Sequence, residues 1–440
     1  MPTLQDAPTP DDGFYVLITG ANSGLGLGIG CRLIDEFLHS RPQSQSLILI
    51  VTTRDKRKGD ATVKQLRAHL HKACQNLETK LPGIRMLLEG RVFFRQEILD
   101  LTNILNVQRC ARSLKDNVPK LDVVIFNAGI GAWVGMDWLQ IAWCILTSPV
   151  TSLTWAPFKI SGVGWVTKPQ LPPGKDGAKV EEPPLGDVFA ANFFGHYLLG
   201  HYTAPLLARY HSSENRGRII WVGSLDAYEH SLDLNDFQYL TSEAPYEASK
   251  RMTDLMCITS TLPSTDPHTD AFLAYTEEKP AAKPRIYLAH PGICGTSIFP
   301  LNFILDACMY AAFFIVRLLG SQWHPVTAYK GATSMVWLAL AKQSTLDAME
   351  EREGVGKWGS ATDRWGEERV ERTEIEGWGW GGVLGERKKK YGRSPFAKDL
   401  TEQGKREFEE TGKKCWEEME KLRLEWEKRL EDAGVAVEME

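Results

Sequence analysis

The stretch FYVLITGANSGLG, residues 14–26, decides the fold of this chain. Its first five residues are apolar and rich in strand formers, and CRLIDEFL, residues 31–38, carries apolar residues at helical spacing. Glycines between the two allow a sharp turn and let a pyrophosphate approach backbone N–H groups at a helix N-terminus. This order predicts a dinucleotide-binding turn rather than a merely tight one. The predicted cofactor contacts are Gly20, Asn22, Ser23, Gly24, Leu25 and Gly26.

Five further strand patterns follow, and helical patterns lie between them. They begin near Ser46, Arg91, Leu121, Gly217 and Arg285. Strands that alternate with helices imply right-handed crossovers and a parallel sheet covered on both faces. We therefore expect an α/β fold, a Rossmann-type doubly wound parallel sheet with insertions and a helical C-terminal extension.

Changes in composition divide the chain into segments. We expect a Rossmann domain over residues 13–345, interrupted by insertions at about 131–186 and 261–284, the second a Pro-rich charged loop. Residues 346–385 form a Trp/Gly-rich extension, and residues 386–440 form a charged tail. Apolar residues three and four apart predict an amphipathic helix in this tail, which either packs on the protein's own core or binds a partner. The apolar stripe is Cys415, Met419, Leu422, Trp426 and Leu430.

The bulk composition argues against several classes of function. The 440 residues are 43% hydrophobic and 24% charged, with a net charge of −5, so nothing in the balance suggests a nucleic-acid partner. The eight cysteines form no Cys-x-x-Cys and no metal-like cluster, which predicts reduced thiols and no metal site. The first 13 residues lack the basic start and apolar core of a signal peptide.

The end of the second strand pattern distinguishes NADPH from NADH. An acidic residue there would accept hydrogen bonds from the ribose hydroxyls and repel a 2′-phosphate. This strand ends instead in Thr52, Thr53 and Arg54, and a basic loop follows. A guanidinium suits a phosphate in fork geometry, so we expect NADPH, bound by Arg54. The alternative is that Arg54 belongs to a solvated basic loop.

Two Tyr-x-x-x-Lys patterns compete as a catalytic pair. Tyr246 and Lys250 lie between the fifth and sixth strand patterns, and residues four apart share one face of a helix. Tyr275 and Lys279 lie in the Pro-rich charged loop with Pro280 next, where a helix does not continue comfortably. The first pair is therefore the predicted catalytic one.

The motifs in this order resemble the short-chain dehydrogenase/reductase family over about residues 14–300. The resemblance implies a catalytic tetrad and a set of cofactor contacts. Phe126 occupies the first position of the family's Asn-Asn-Ala-Gly motif, and the gap between Ser224 and Tyr246 is longer than is usual. The implied tetrad is Asn192, Ser224, Tyr246 and Lys250, and the further cofactor contacts are Asp100, Asn127, Ala128, Gly129, Pro291, Gly292 and Thr296.

The chemistry of ketone reduction asks for these residue types. The ketone oxygen gains negative charge as hydride reaches its carbon, so a proton donor is needed there, and Tyr246 is the candidate. A neighbouring ammonium, Lys250, should lower the phenol's pKa from about 10, and it can also hold the nicotinamide ribose. Ser224 can polarise the carbonyl. By resemblance, Asn192 holds a water that links Lys250 to solvent, Thr296 anchors the carboxamide, and the adenine contact is Asp100.

Two apolar segments flank the predicted site. Residues 301–320 contain an uncharged run, 307–316, which is bounded by Asp306 and Arg317 and is too short for a span of about 20 residues. The insertion adds a second, Trp-rich segment, 136–160. Either both are ordinary core, or they lie in a membrane interface and admit a large apolar substrate. We expect them to hold the protein on a membrane surface without crossing it.

Three further stretches, residues 148–160, 287–301 and 373–385, resemble the fungal 3-ketosteroid (3-keto sterol) reductases of ergosterol biosynthesis. That resemblance runs from about residue 13 to 386. It implies NADPH-dependent reduction of the 3-keto group of a demethylated sterol, on the cytosolic face of the endoplasmic reticulum membrane or on lipid droplets. The implied partners are a sterol ketone substrate, the other sterol demethylation enzymes and oxidosqualene cyclase.

Two rival functions stay open on the residues alone. A paralogue that reduces another steroid or a secondary-metabolite triterpenoid ketone would share every catalytic residue. A non-catalytic scaffold in a sterol-synthesis complex would not need the complete tetrad, and this argues against it.

Overall fold

The computed structural model describes residues 12–79, 82–173, 180–209, 214–274, 283–295, 302–385 and 392–437. These ranges hold the strands β1 (Gly13–Ile18), β2 (Ser46–Thr53), β3 (Val92–Ile98), β4 (Val123–Phe126), β5 (Trp133–Met136), β6 (Lys159–Ser161), β7 (Arg218–Val222), β8 (Arg285–His290), β9 (Lys357–Thr362) and β10 (Glu368–Thr373).

The helices are α1 (Gly24–Ser40), α2 (Lys56–Glu78), α3 (Ile84–Glu89), α4 (Ile104–Asn117), α5 (Trp138–Thr147), α6 (Pro149–Thr154), α7 (Asp187–Phe189), α8 (Gly195–Ala208), α9 (Pro245–Thr259), α10 (Asp266–Phe272), α11 (Phe303–Leu318), α12 (Ala328–Gly331), α13 (Thr333–Leu340), α14 (Gln343–Glu353) and α15 (Glu402–Asp432). A π-helical segment, Ala190–Phe194, joins α7 to α8.

The central sheet has eight strands in the order β10-β9-β8-β7-β4-β1-β2-β3. All neighbours pair in parallel except β9 and β10, which are antiparallel. The strand order reverses between β1 and β4, and doubly wound sheets bind ligands at the carboxyl ends of strands that meet at such a point. The predicted fold class, a Rossmann-type doubly wound sheet, is confirmed.

The two faces of the sheet are covered by separate hydrophobic layers. In β1, Tyr15 and Leu17 pack into one layer, while Val16 and Ile18 pack into the other. Helices α4, α8 and α9 supply the first layer, and α1, α2 and α13 supply the second. Successive side chains of a strand point to opposite faces of the sheet, and here both faces are covered. Every residue of β1 is therefore buried, which explains its continuous apolar run.

Residues 346–385, the expected Trp/Gly-rich extension, contribute two strands to the central sheet. They supply β9, which pairs with β8, and the edge strand β10. The sequence of β9, KWGSAT, is built largely from small and polar residues, so it lacks the apolar run that predicted the other strands. Residues 261–284, expected to be a loop, contain the short helix α10.

The charged tail forms α15, and its apolar stripe packs on the protein's own core. Cys415, Met419, Trp426 and Leu430 are buried, and Leu422 is partly buried against the same layer. The helix lies against α9 and α10. The expected amphipathic helix therefore covers the face of α9 that lies away from the sheet.

The insertion between β4 and α7 forms a small antiparallel hairpin, β5 and β6, with α5 and α6 between its strands. Helix α11 packs against α6. Among the residues described, no helix is long and apolar enough to cross a membrane.

Candidate active site

The glycine-rich turn follows β1 directly. Gly20 and Gly24 have φ angles of +65° and +51°, which glycine adopts at little cost. A Cβ atom at Gly26 would overlap the carbonyl oxygen of Gly20 and the Asn127 amide, so this third glycine is required by close packing. The turn thus folds back on itself and leads directly into α1.

The first turn of α1 is suited to an anion. The helix begins at Gly24, Ser23 gives it no side-chain cap, and it has no acidic residue in its first turn. Ser23 is exposed, and Asn22, Gly24 and Leu25 are half-buried. Uncapped N–H groups and the positive end of the helix dipole favour a phosphate at this place. The residues present therefore fit the pyrophosphate of a dinucleotide.

Thr19 ties this turn to the end of β4. Its Oγ1 accepts hydrogen bonds from the backbone N–H groups of Asn127 and Ala128, at 2.9 and 3.0 Å. The Asn127 side chain donates to the Thr19 carbonyl at 2.9 Å. Gly129 follows at the rim and is exposed. The predicted Asn127–Gly129 motif thus lies at the switch point, beside the glycine-rich turn.

The structure explains why Phe126 can occupy the first position of that motif. Its ring stacks on His196 with centroids 4.8 Å apart and meets the edge of Trp221 at 4.7 Å. Nε2 of His196 lies 2.9 Å from Thr19 Oγ1, and burial lowers the pKa of His196 to about 3. A neutral imidazole therefore fills the space behind the motif. Sequence reasoning missed His196 because the two partners that place it behind the motif, Thr19 and Phe126, are distant from it in sequence.

Asn192 lies within the π-helical segment, which interrupts the regular hydrogen bonding of an α-helix at a position typical of functional sites. Its side chain accepts from the Ile130 N–H at 2.7 Å and donates to the Ile130 carbonyl and to Ser249 Oγ, both at 3.0 Å. Asn192 therefore connects the loop after β4 with α9, where its partner Ser249 directly precedes Lys250.

Ser224, Tyr246 and Lys250 meet at the carboxyl end of β7. Ser224 acts on the Tyr246 hydroxyl and lowers its pKa, so the two side chains lie close together despite the long gap between them in sequence. Pro245 occupies the first turn of α9, so Tyr246 and Lys250 follow on one helix face. Lys250 Nζ lies 5.5 Å from the centre of the Tyr246 ring and donates to the Val222 carbonyl at 2.7 Å. All four predicted tetrad residues are thus brought together.

The pKa of Tyr246 differs from the expectation. Burial raises it to about 12, and the hydrogen bond from Ser224 opposes this effect. The net lowering expected from a neighbouring ammonium is wrong for this structure, because burial outweighs the nearby charges, among which Lys159 lowers the pKa. Burial and the like charge of Lys357 lower the pKa of Lys250 to about 8. The phenol therefore keeps its proton at neutral pH, as an acid must.

The residues predicted to bind the adenosine end lie at the carboxyl ends of β2 and β3. Arg54 is exposed, and its charge lowers the pKa of Asp187, whereas the charge of Asp100 raises it. Asp100 accepts from the Thr102 hydroxyl at 2.8 Å. Asp187, which sequence reasoning missed, has a pKa raised by burial and by Asp100.

The loop after β8 holds the remaining predicted contacts. Gly292 has a φ angle of +66° and packs against the backbone of Ser360, and Pro291 beside it is half-buried. Thr296 lies outside the described residues. The loop therefore lies at the carboxyl end of β8, on the same side of the sheet as Ser224 at the carboxyl end of β7.

Comparison with known proteins identifies the family of the chain. The 3-keto-steroid reductase of Aspergillus fumigatus is 43% identical over 444 residues, which cover 97% of each chain. The reductase of the same name from Gibberella zeae is 38% identical, with 97% of this chain and 96% of that chain covered. This chain belongs to the 3-keto-steroid reductase family. The Schizosaccharomyces pombe member of that family is 32% identical over 82% of this chain and 90% of its own.

No family model matches this member of the 3-keto-steroid reductase family. Among solved structures, salutaridine reductase from Papaver somniferum covers 75% of this chain and 96% of its own, with 18% identity and a TM-score of 0.43. That likeness is weak, and the family membership rests on the sequence relatives.

Two lysines with little exposure to solvent in this 3-keto-steroid reductase family member were not predicted as site residues. Lys159, from β6, contacts Asp226 and Glu247 beside Tyr246. Lys357, from β9, contacts Asp254 and donates to the Ser224 carbonyl. Their partners are distant in sequence, and a lone lysine in a strand carries no spacing signal that could have identified them.

Proposed function

We propose that this protein reduces the 3-keto group of a sterol intermediate to the 3-hydroxy sterol with NADPH, in the sterol demethylation steps of ergosterol biosynthesis. The observation that carries the proposal is the meeting of Ser224, Tyr246 and Lys250 at the carboxyl end of β7, with Lys250 Nζ 5.5 Å from the centre of the Tyr246 ring. The names of the relatives support the class of substrate.

The residues that would hold NADPH are those of the glycine-rich turn, the loop after β4 and the loop after β8. NADPH supplies the hydride when it is bound. The uncapped N-terminus of α1 fits the pyrophosphate, and Arg54 provides a guanidinium for the 2′-phosphate. By the resemblance, Asp100 would contact the adenine, and Lys250 would hold the nicotinamide ribose.

Tyr246 acts as the general acid. Its proton passes from the phenol to the ketone oxygen as negative charge develops there. Ser224 hydrogen-bonds the same oxygen and polarises the carbonyl. Asn192 fixes the loop after β4 against α9 and thereby holds Lys250 and Tyr246 in register.

The membrane surface is the second part of the proposal. Helices α5 and α11 each present large apolar side chains to solvent, and α6 lies between them and contacts both. On α5, Leu139 is 86% exposed, and on α11 Phe303 is 83% exposed. An apolar surface of this kind rests on a bilayer and lets a sterol enter the site without crossing water. The other exposed apolar residues on these helices are Trp138, Trp143, Ile145, Leu146, Ile304, Phe314, Ile315 and Leu318.

By the resemblance in sequence, the membrane would be the endoplasmic reticulum, on its cytosolic face, or that of lipid droplets. The other sterol demethylation enzymes and oxidosqualene cyclase would be its neighbours there. Pull-down of the tagged chain from solubilised microsomes, followed by mass spectrometry, tests these partners. Recovery of neither class of enzyme would remove this part of the proposal.

The proposed reaction is tested with purified protein, NADPH and a panel of 3-keto sterols and 17-keto steroids, followed by the absorbance of NADPH. Oxidation of NADPH with 3-keto sterols and formation of the 3-hydroxy product would support the proposal. A preference for 17-keto steroids would favour a paralogue with another substrate. No turnover with any ketone, in protein that binds NADPH, would favour a scaffold.

A further inference from the structure

Lys159 reaches the proposed active site from the insertion. It is the first residue of β6, which pairs with β5, and its side chain is 11% exposed. Its Nζ lies 2.8 Å from Asp226 Oδ2 and 2.6 Å from Glu247 Oε1. The insertion thus places one buried ammonium between two carboxylates.

Both carboxylates are directly connected to the proposed catalytic residues. Asp226 follows Ser224 by two residues, and its backbone N–H donates to Ser224 Oγ at 3.1 Å. Glu247 follows Tyr246 directly in α9. Lys159 is therefore a bridge between the loop that carries Ser224 and the helix that carries Tyr246.

Lys159 also faces the Tyr246 ring. Its Nζ lies 5.8 Å from the centre of that ring and 5.0 Å from that of Trp133, and the two rings are 5.0 Å apart. Cations at these distances are attracted to aromatic faces. Trp133 and Lys159 of the hairpin thus form one wall of the pocket around the phenol.

We propose that Lys159 is a positioning residue for ketone reduction: its ammonium holds Asp226 and Glu247 together and so fixes the positions of Ser224 and Tyr246 relative to each other. This inference rests on the proposed function, because it gives Tyr246 the role of the acid. It also assigns a role to the insertion, which otherwise contributes only the apolar surface.

The charges around Tyr246 support the same assignment. The groups that face it are Lys250 and Glu247 from α9, Ser224 and Asp226 from the loop after β7, and Lys159 from β6. Asp226 and Glu247 raise the pKa of Tyr246, and Lys159 lowers it. Without Lys159 the two carboxylates would act on the phenol without the cation that contacts both of them. Glu247 Oε2 is buried and has no hydrogen-bond partner among the described residues, so Lys159 is the main compensation for this carboxylate.

The test compares Lys159→Met with Lys159→Arg, which keeps the charge, and with Lys168→Met, an exposed lysine of the same insertion. We expect Lys159→Met to bind NADPH within about twofold of wild type and to lose about tenfold or more in kcat, because a positioned acid contributes roughly 10²–10⁴-fold. Lys159→Arg should restore most of the rate, and Lys168→Met should match wild type.

A pH profile separates this role from a merely structural one. In the reverse reaction, oxidation of the 3-hydroxy sterol with NADP⁺, Tyr246 must accept the proton. Loss of Lys159 raises the pKa of the phenol further, so the profile of kcat/KM for the alcohol should move to higher pH. A Lys159→Met enzyme with wild-type kcat and an unmoved profile would overturn the inference.

Two further variants keep the test decisive. If Lys159→Met does not fold, Lys159→Met/Glu247→Gln removes the uncompensated carboxylate and should fold with part of the rate restored; wild-type kcat in that variant would also overturn the inference. Tyr246→Phe in the same assay separates the two proposals. An active Tyr246→Phe enzyme refutes the proposed function, whereas an inactive one beside a fully active Lys159→Met enzyme refutes only the role of Lys159.

Discussion

Lys357 of β9 and Asp254 of α9 form an ion pair inside the protein, with Nζ 2.7 Å from Oδ2 and only 2% and 1% of the two side chains exposed. Lys357 also donates to the Ser224 carbonyl, and Asp254 lies one helical turn after Lys250. The pair thus connects the strand end that carries Ser224 with the helix that carries Lys250.

Removal of one partner of this pair should strongly destabilise the fold. Asp254→Asn leaves the buried Lys357 ammonium without its carboxylate, and breaking such a pair costs about 3–5 kcal/mol. Urea denaturation of the two proteins measures the difference. The double variant Lys357→Met/Asp254→Leu removes both charges and should recover most of the loss. A single variant within 1 kcal/mol of wild type would show that the pair contributes little.

Tyr246→Phe should abolish ketone reduction and leave NADPH binding nearly intact. The ring keeps its contact with Trp133, and only the acid is lost, so we expect a loss of about 10²–10⁴-fold in kcat. Steady-state kinetics and NADPH fluorescence titration measure the two effects. Tyr275→Phe, in the second Tyr-x-x-x-Lys pattern, is the control and should be silent. Retention of more than about a tenth of the wild-type rate would contradict the assignment.

The rate of reduction should fall as pH rises through about 8. Burial and Lys357 lower the pKa of Lys250 to about 8, so its ammonium is charged below that pH and neutral above it. The pKa of Tyr246, about 12, keeps the phenol protonated over the same range. The pH dependence of kcat/KM for NADPH reports pKa values of the free enzyme. Measured between pH 6 and 10, kcat/KM should decrease once, on the alkaline side. A flat profile up to pH 10 would exclude this role for the Lys250 charge.

Arg54→Asp should reverse or abolish the preference for NADPH over NADH. The exposed guanidinium follows β2, and its loss removes a charge-assisted contact of about 1.5–3 kcal/mol and adds repulsion. The ratio of kcat/KM for the two cofactors measures the change. Arg57→Asp, at another exposed arginine of the same basic segment, is the matched control. An unchanged ratio in Arg54→Asp would make Arg54 a solvated surface residue.

The apolar faces of α5 and α11 should bind a bilayer without crossing it. We expect the protein to float with phosphatidylcholine vesicles, and Trp138→Ser/Trp143→Ser/Phe303→Ser to reduce the floating fraction severalfold, because apolar area on the surface drives this binding. Trp365→Ser, at least as exposed as the two substituted tryptophans but on the loop between β9 and β10, is the control.

Protease protection of tags at both ends, in intact microsomes, tests the topology of the same surface. Both tags should be digested from the cytosolic side. Protection of the C-terminal tag alone would mean that residues 301–320 cross the membrane. If both tags are digested but the protein does not float with vesicles, the apolar faces of α5 and α11 would instead be a contact surface for another protein.

The elements with a local signal could be predicted from the sequence. The run from Phe14 to Gly26 contains its own strand, turn and helix signals, and Tyr246 and Lys250 share a helix face through their spacing alone. The helix of the charged tail was likewise evident from the spacing of its apolar residues. In each case the residues that determine the element lie close together in the sequence.

The rest depends on contacts between distant residues. Lys159 meets Glu247, and Lys357 meets Ser224, only after the sheet has assembled. Strand β9 is buried without an apolar run, because its small residues pack closely against β8 and the loop that follows it. The pKa of Tyr246 is raised rather than lowered, because burial outweighs the charge of Lys159. The spacing of residues in the sequence carries no information about this burial.

The position of β9 has a consequence for biosynthesis. A nascent chain that has left the ribosome as far as α13 already holds every residue of the proposed tetrad, yet it lacks Lys357 and the strand that pairs with β8. Asp254 is then an unpaired carboxylate, and α9 lacks the cover of α15. Ketone reduction should therefore begin only after β9 and α15 have been translated, and a chain that stops before Lys357 should be removed by cellular proteases.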